Sequence, residues 1–258
     1  LRETLITTAI DARPVQCFRV PGNTFLTFWA ALFTGGVFIF ATFHWWWLTL
    51  ASGALAFAFV VAWLWTGTNR IPEKETKDVG LGLRLPLYLS GRGSVGWWAM
   101  FITLLADLTA FLSLVFGYYF YWTVHESFPP AFAEGPGAFW PTIALALILA
   151  AWGATVIARR MNARDRAGPF YALLLVGALL GLGGGLALLA GPWTTGLDPR
   201  AHVYPAIVWI LAIWTALHAA LGVVMQIYCV ARRLAGRMTP RHEIDACNTE
   251  LYWHFLAL

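Results

Sequence analysis

The sequence predicts an all-α, polytopic membrane bundle of seven transmembrane helices. Three observations carry that reading. First, the 258 residues are 59% hydrophobic and only 12% charged, about half the charge of an ordinary soluble domain. Second, the apolar residues fall into serial runs of roughly 20, the length that crosses a bilayer core. Third, once those runs are laid across a membrane, every Lys and Arg except Arg200 falls on one side. Orientation then follows from the excess of basic residues in cytoplasmic loops. The chain start lies in the cytoplasm, and the seventh helix runs outward.

Residues 1–24 are polar and interrupted by Pro14 and Pro21, and read as a connector. Residues 25–66 form a two-helix hairpin. Its first span covers 25–43, and its second ends at Thr66. Between them, His44 and the run Trp45, Trp46 and Trp47 make a tight turn at an interface, where aromatic rings prefer to sit. Residues 67–95 carry Arg70, Lys74, Lys77, Arg84 and Arg92 among three acidic residues. This polar cytoplasmic loop separates the hairpin from a five-helix bundle over 96–258.

The third span, residues 96–122, is apolar but for Asp107 near its middle. A carboxylate at that depth is costly, so it faces protein or water and marks a functional position. The bland reading is a protonated acid bonded to a neighbouring helix. A loop over 123–137 holds Glu126 and Glu134 without Lys or Arg. The fourth span, 138–158, ends in Arg159 and Arg160. The fifth, 169–190, is rich in glycine, which lets membrane helices pack closely. The sixth, 203–230, contains His218 and ends in Arg232 and Arg233. The seventh begins near Cys247 and stops at Leu258, short of the length a span needs. With no initiator Met and no signal peptide, the chain reads as a segment of a longer polypeptide.

The charge of +4 and pI near 9.2 do not indicate nucleic acid, because the basic residues are spread over membrane-flanking loops. Cys17, Cys229 and Cys247 lack metal-ligand spacing. No span carries two His three or four residues apart, so no single helix offers a metal-ligand pair. No phosphate loop or nucleophile elbow is present. An intramembrane polar set remains: Asp107, His218 and His254, with Gln226 and Glu250 toward the inner ends of spans six and seven. At 1.5 Å per residue, Asp107 and His218 lie at similar mid-membrane depth. An Asp107–His218 pair is the arrangement this predicts, either as a proton-handling site or as a buried bond that fixes packing.

These motifs resemble subunit III of the haem–copper cytochrome c oxidases. Tyr252, Trp253, His254 and Phe255, opening the last helix after a polar loop, carry the resemblance most specifically. An intramembrane acid, an aromatic half-helix and then Phe128, Pro129 and Pro130 resemble that subunit's third helix and turn. His218, with Gly222 four residues on and Arg232 at the end, resembles its sixth helix. The two-plus-five plan is also similar. The first residues resemble the tail leaving subunit I, so the whole resembles the C-terminal part of a fused subunit I+III. There are departures: Asp107 stands where the family usually has Glu, Thr215 replaces a His, and Leu256 and Ala257 follow the helix-seven motif in place of Val-Asp.

The resemblance implies a function. The segment would belong to a proton-pumping terminal oxidase that passes electrons from cytochrome c to oxygen. It would pack on subunit I, in the same polypeptide, near subunit II, in the bacterial inner membrane. Haem and copper would lie in the partner subunit or preceding region, and none in this segment. Phospholipid would sit in the cleft between the two helical units, with Arg232 and Trp65 at lipid headgroups. Asp107 and His218 would match the family's acid–histidine pair. A quinol oxidase subunit III is an alternative, as are a free-standing membrane transporter and a scaffold protein.

Overall fold

A computed structural model describes residues 2–20, 22–67, 71–133 and 135–258. Pro21, Arg70 and Glu134 lie outside the described residues. The chain divides into two compact units, residues 1–88 and 89–258. Among the described residues five helices, all named below, are long and apolar enough to cross a membrane, which makes this a multi-pass membrane protein.

In the first unit, β1 (Arg2–Thr7) and β2 (Pro14–Val20) pair antiparallel, with Glu3 opposite Arg19 and Leu5 opposite Cys17. The segment that reads as a connector is therefore a hairpin. A second small ribbon joins β3 (Thr76–Asp78) and β4 (Arg84–Pro86). Cys17, Leu85, Leu87 and Val79 form an apolar cluster, and the Gln16 side-chain amide donates to the Leu87 carbonyl at 3.3 Å. The stretches that read as connector and loop thus fold onto each other. Sequence reading missed them because each strand is short and carries charges.

Between these ribbons run α1 (Leu26–Thr42) and α2 (Trp46–Thr66), the predicted helical hairpin. His44 takes φ +60° in the turn, and the Trp45 N–H donates back to the Phe40 carbonyl at 2.9 Å. Phe33 and Phe59 stack across the pair with ring centroids 5.6 Å apart. Of these two helices, α2 is a membrane-length span, whereas α1 is shorter.

The second unit holds α3 (Val95–Val124), α4 (Phe139–Ala163), α5 (Ala167–Thr194), α6 (Val203–Leu234) and α7 (Ile244–Ala257). The Ser94 hydroxyl accepts the Trp97 N–H and caps α3, as short polar side chains do at helix starts. The core is the stack of α4, α5 and α6, with α7 packed against α4 and α6. Ala144, Ala151 and Ala158 on α4 are wholly buried, and α5 meets that row with glycines. A Cβ on Gly184 would lie 2.8 Å from Ile148 Cγ1. Despite its glycines, α5 runs unbroken, because a helix packed on both sides retains its backbone bonds. On α3 only Leu104 is buried. That helix packs on α6 and α7 and leaves its remaining apolar face open.

Candidate functional site

Two polar clusters lie among the apolar helices of the second unit. The first joins α3, α6 and α7. His218 Nε2 stands 2.9 Å from Asp107 Oδ2, with side chains 18% and 24% exposed. Asp107 Oδ2 is itself buried and makes no well-aligned hydrogen bond, so the contact is a close approach off the line of the ring N–H. The imidazole is held firmly. Its Nδ1 lies 2.7 Å from the Trp214 carbonyl one turn earlier. Trp214 stacks on one side with centroids 5.3 Å apart, and Tyr252 lies parallel at 6.4 Å. The Tyr252 hydroxyl donates to the His218 carbonyl at 2.9 Å. Thus Tyr252, known from the sequence only as part of a motif, ties α7 to the helix carrying His218.

Trp253 is fully buried and packs with Ile148 and Ala151 of α4. It reaches α5 and α6 at two glycines: a Cβ on Gly181 would stand 2.5 Å from its ring, and one on Gly222 3.0 Å away. His254 turns the opposite way from Tyr252, and its Nδ1 accepts the Trp152 indole N–H at 2.8 Å. Phe255 is half-buried. Tyr252, Trp253 and His254 therefore do separate work, each against a different partner.

The second cluster lies at the ends of α4 and α6 and the start of α7. Arg159 donates through Nη1 to Glu250 and through Nη2 to Glu243, the latter at 3.4 Å. Glu243 also accepts from the Asn162 amide at 2.8 Å, and Asn162 is wholly buried. The Asn162 carbonyl oxygen accepts from Arg233, whose other arm reaches Asp165 at 2.7 Å. Glu250 lies 3.9 Å from His254 Nε2. Sequence reading took Arg159 and Arg233 as topology charges. The available signal was complementarity, since Glu243, Asp245 and Glu250 crowd the start of α7 where two basic helix ends converge.

Arg232, for which the resemblance implies a lipid headgroup, is 3% exposed and bonds Asp245 Oδ2 at 3.2 Å. A second bond runs from its Nη2 to the Arg237 carbonyl at 3.2 Å. A guanidinium so enclosed helps dock α7 instead of facing lipid. Trp65 is half-buried on α2. Gln226 is wholly buried and donates to Thr155 Oγ1 at 2.7 Å. Among the described residues no group of three His, Cys, Asp or Glu side chains is gathered to hold a metal. No family model matches this chain, and no curated protein matches it either.

Proposed function

We propose that this chain is a subunit III segment of a proton-pumping terminal oxidase, which packs on the catalytic subunit and supports its proton supply and durability. The contact between Asp107 and His218 carries the reading. A carbonyl only accepts, so the 2.7 Å approach to the Trp214 carbonyl puts a hydrogen on Nδ1 of His218. Nε2 then stands 2.9 Å from a carboxylate oxygen of Asp107. An acid and an imidazole set this close on apolar helices are the kind of pair that handles protons in membrane proteins.

The seven-span topology and the two-plus-five plan belong to the same reading. It is supported by the two helices of the first unit and the five of the second. The chain starts in the cytoplasm of a bacterium, and its complex takes electrons from cytochrome c. Haem and copper belong to the neighbouring catalytic region. The two histidines within the helices are already committed at Nδ1, His218 to the Trp214 carbonyl and His254 to the Trp152 indole N–H. Phospholipid contacts the exposed apolar faces.

The test is purification of the whole complex from native membranes with its haem spectrum and proton uptake recorded. Haem absorbance with this chain present, and Asp107→Asn that assembles fully yet takes up protons more slowly, is the expected result. A chain that purifies without haem or partner subunits would overturn the oxidase reading in favour of a transporter or scaffold. Complete loss of oxygen reduction in an assembled Asp107→Asn complex would overturn the accessory role.

A further inference from the structure

Residues of α5, α6 and the turn between them line an apolar groove. Its wide part, about 740 Å³, is lined by Pro192, Trp193, Leu197, Pro199, Trp209 and Ile213. Its narrow part, about 210 Å³, continues past Ile213 to Leu182, Gly185, Ala216, Leu217 and Ala220. Ile213 lines both, and the α5 residues that line them follow one another along the same helix. Gly185 and Ala216 keep the floor low, while Leu186 and Leu217, 60% and 63% exposed, stand up as walls.

We propose that this groove seats one acyl chain of an anionic phospholipid, with Arg200 at its mouth taking the phosphate. Length selects the occupant. From Gly181 to Trp193 the groove runs about 18 Å along α5 at 1.5 Å per residue, a little more than half of the ~30 Å hydrocarbon core. A transmembrane helix would need a seat across both leaflets; a lipid chain spans one. The mouth has the chemistry of a headgroup level. Trp193 is 77% exposed, Trp209 is fixed by donating to the Leu197 carbonyl at 2.7 Å, and such rings settle at membrane interfaces. Arg200 directly follows the groove residue Pro199 and is exposed. Asp198 accepts the Arg200 backbone N–H at 2.9 Å, and among the described residues no carboxylate pairs with the Arg200 guanidinium. It is also the one basic residue that the membrane arrangement puts on its side. Retaining a cation there serves a ligand better than it serves topology, because the positive-inside bias disfavours it.

The site rests on the membrane placement and not on the oxidase reading. The test uses the full-length protein with its accompanying chains in nanodiscs of phosphatidylcholine and phosphatidylglycerol. The phosphatidylglycerol carries a photoreactive diazirine on its acyl chain, and labelled positions are mapped by mass spectrometry. Labelling concentrated at Leu186, Ile213 and Leu217, above that at Leu105 and Leu112 on the open face of α3, is expected. Ala220→Phe, at an exposed groove position, should abolish the excess at Leu217 and leave α3 labelling unchanged. Arg200→Gln should reduce the preference for phosphatidylglycerol over phosphatidylcholine about fivefold, the effect of one basic residue near an anionic surface. Groove labelling no higher than on α3, cross-linking of the groove to another chain, or an unchanged lipid preference in Arg200→Gln would overturn the site. Labelling absent from both groove and α3 would instead overturn the membrane placement beneath it.

Discussion

Trp253 lies so close across Gly181 that a Cβ on the glycine would stand 2.5 Å from the indole ring. The indole is wholly buried and bears on α5 and α6 together, so neither partner can yield without shifting a helix. Gly181→Ala should therefore destabilise the second unit by about 1–3 kcal/mol, the usual cost of overpacking a tight core. On α4, a Cβ at Gly153 would meet nothing within 4 Å. Gly153→Ala should be neutral or stabilising by about 0.5–1 kcal/mol, since alanine gives up less backbone freedom in a helix. Thermal unfolding of both variants in detergent checks the contrast. Equal midpoints for the two would refute the packing argument.

Arg159 bridges Glu243 and Glu250, whose side chains are only 10% and 13% exposed. Removing the cation leaves two carboxylates facing each other with little water. Arg159→Ala should cost about 3 kcal/mol, at the lower end for breaking a buried pair, because the arginine itself is 36% exposed. Arg159→Met combined with Glu250→Met should recover most of the loss, since the buried charge leaves with its partner. A double-mutant cycle on unfolding midpoints measures the coupling. Additive losses would mean that the contact contributes nothing.

The helices were legible in the sequence because lipid imposes a strong condition: a span must be long, apolar and nearly uncharged. Asp107 and His218 were legible for the same reason, as rare polar residues at matching depth. The charged cluster was not. Arg159, Asn162 and Glu243 sit in polar stretches that look solvated one at a time, and the partners that join them across helices lie at least 71 residues away along the chain. Arg232 shows the limit most plainly. Its place at a helix end fits a lipid contact and a buried ion pair equally, and only the fold of the 235–243 turn brings Asp245 to it. The small ribbons were illegible because Arg2–Thr7 and Thr76–Asp78 offer no sustained alternation, and the apolar cluster they border is built from Cys17, Val79, Leu85 and Leu87, drawn from two separate polar segments.

On β1, Glu3 accepts from Lys77 and lies 3.7 Å from Arg19. The Lys77 bond, with both cations nearby, holds its carboxyl below the ordinary glutamate range. A depressed folded value stabilises the ribbon above the unfolded value, and that contribution fades as pH falls through the folded one. The first unit should thus hold its β1–β2 hairpin at neutral pH and loosen below about pH 4.3, the ordinary glutamate value. Amide hydrogen exchange of Cys17 and Phe18 across that range reads the change. Glu3→Gln should flatten it, and an identical profile in that variant would assign the loosening to other carboxylates.

The contact between Asp107 and His218 depends on how α7 holds the histidine. The Tyr252 hydroxyl donates to the His218 carbonyl at 2.9 Å, and its ring lies parallel to the imidazole with centroids 6.4 Å apart. Tyr252→Phe keeps the ring and removes the hydroxyl, so it should destabilise the second unit by about 1 kcal/mol, the net contribution of one hydrogen bond. Trp214 lies on the imidazole at 5.3 Å, and that contact should survive the change. Thermal unfolding in detergent reads the cost, and the His218 ring resonances read the position of the imidazole. A midpoint and ring resonances identical to those of the parent protein would show that Tyr252 does not position His218 against Asp107.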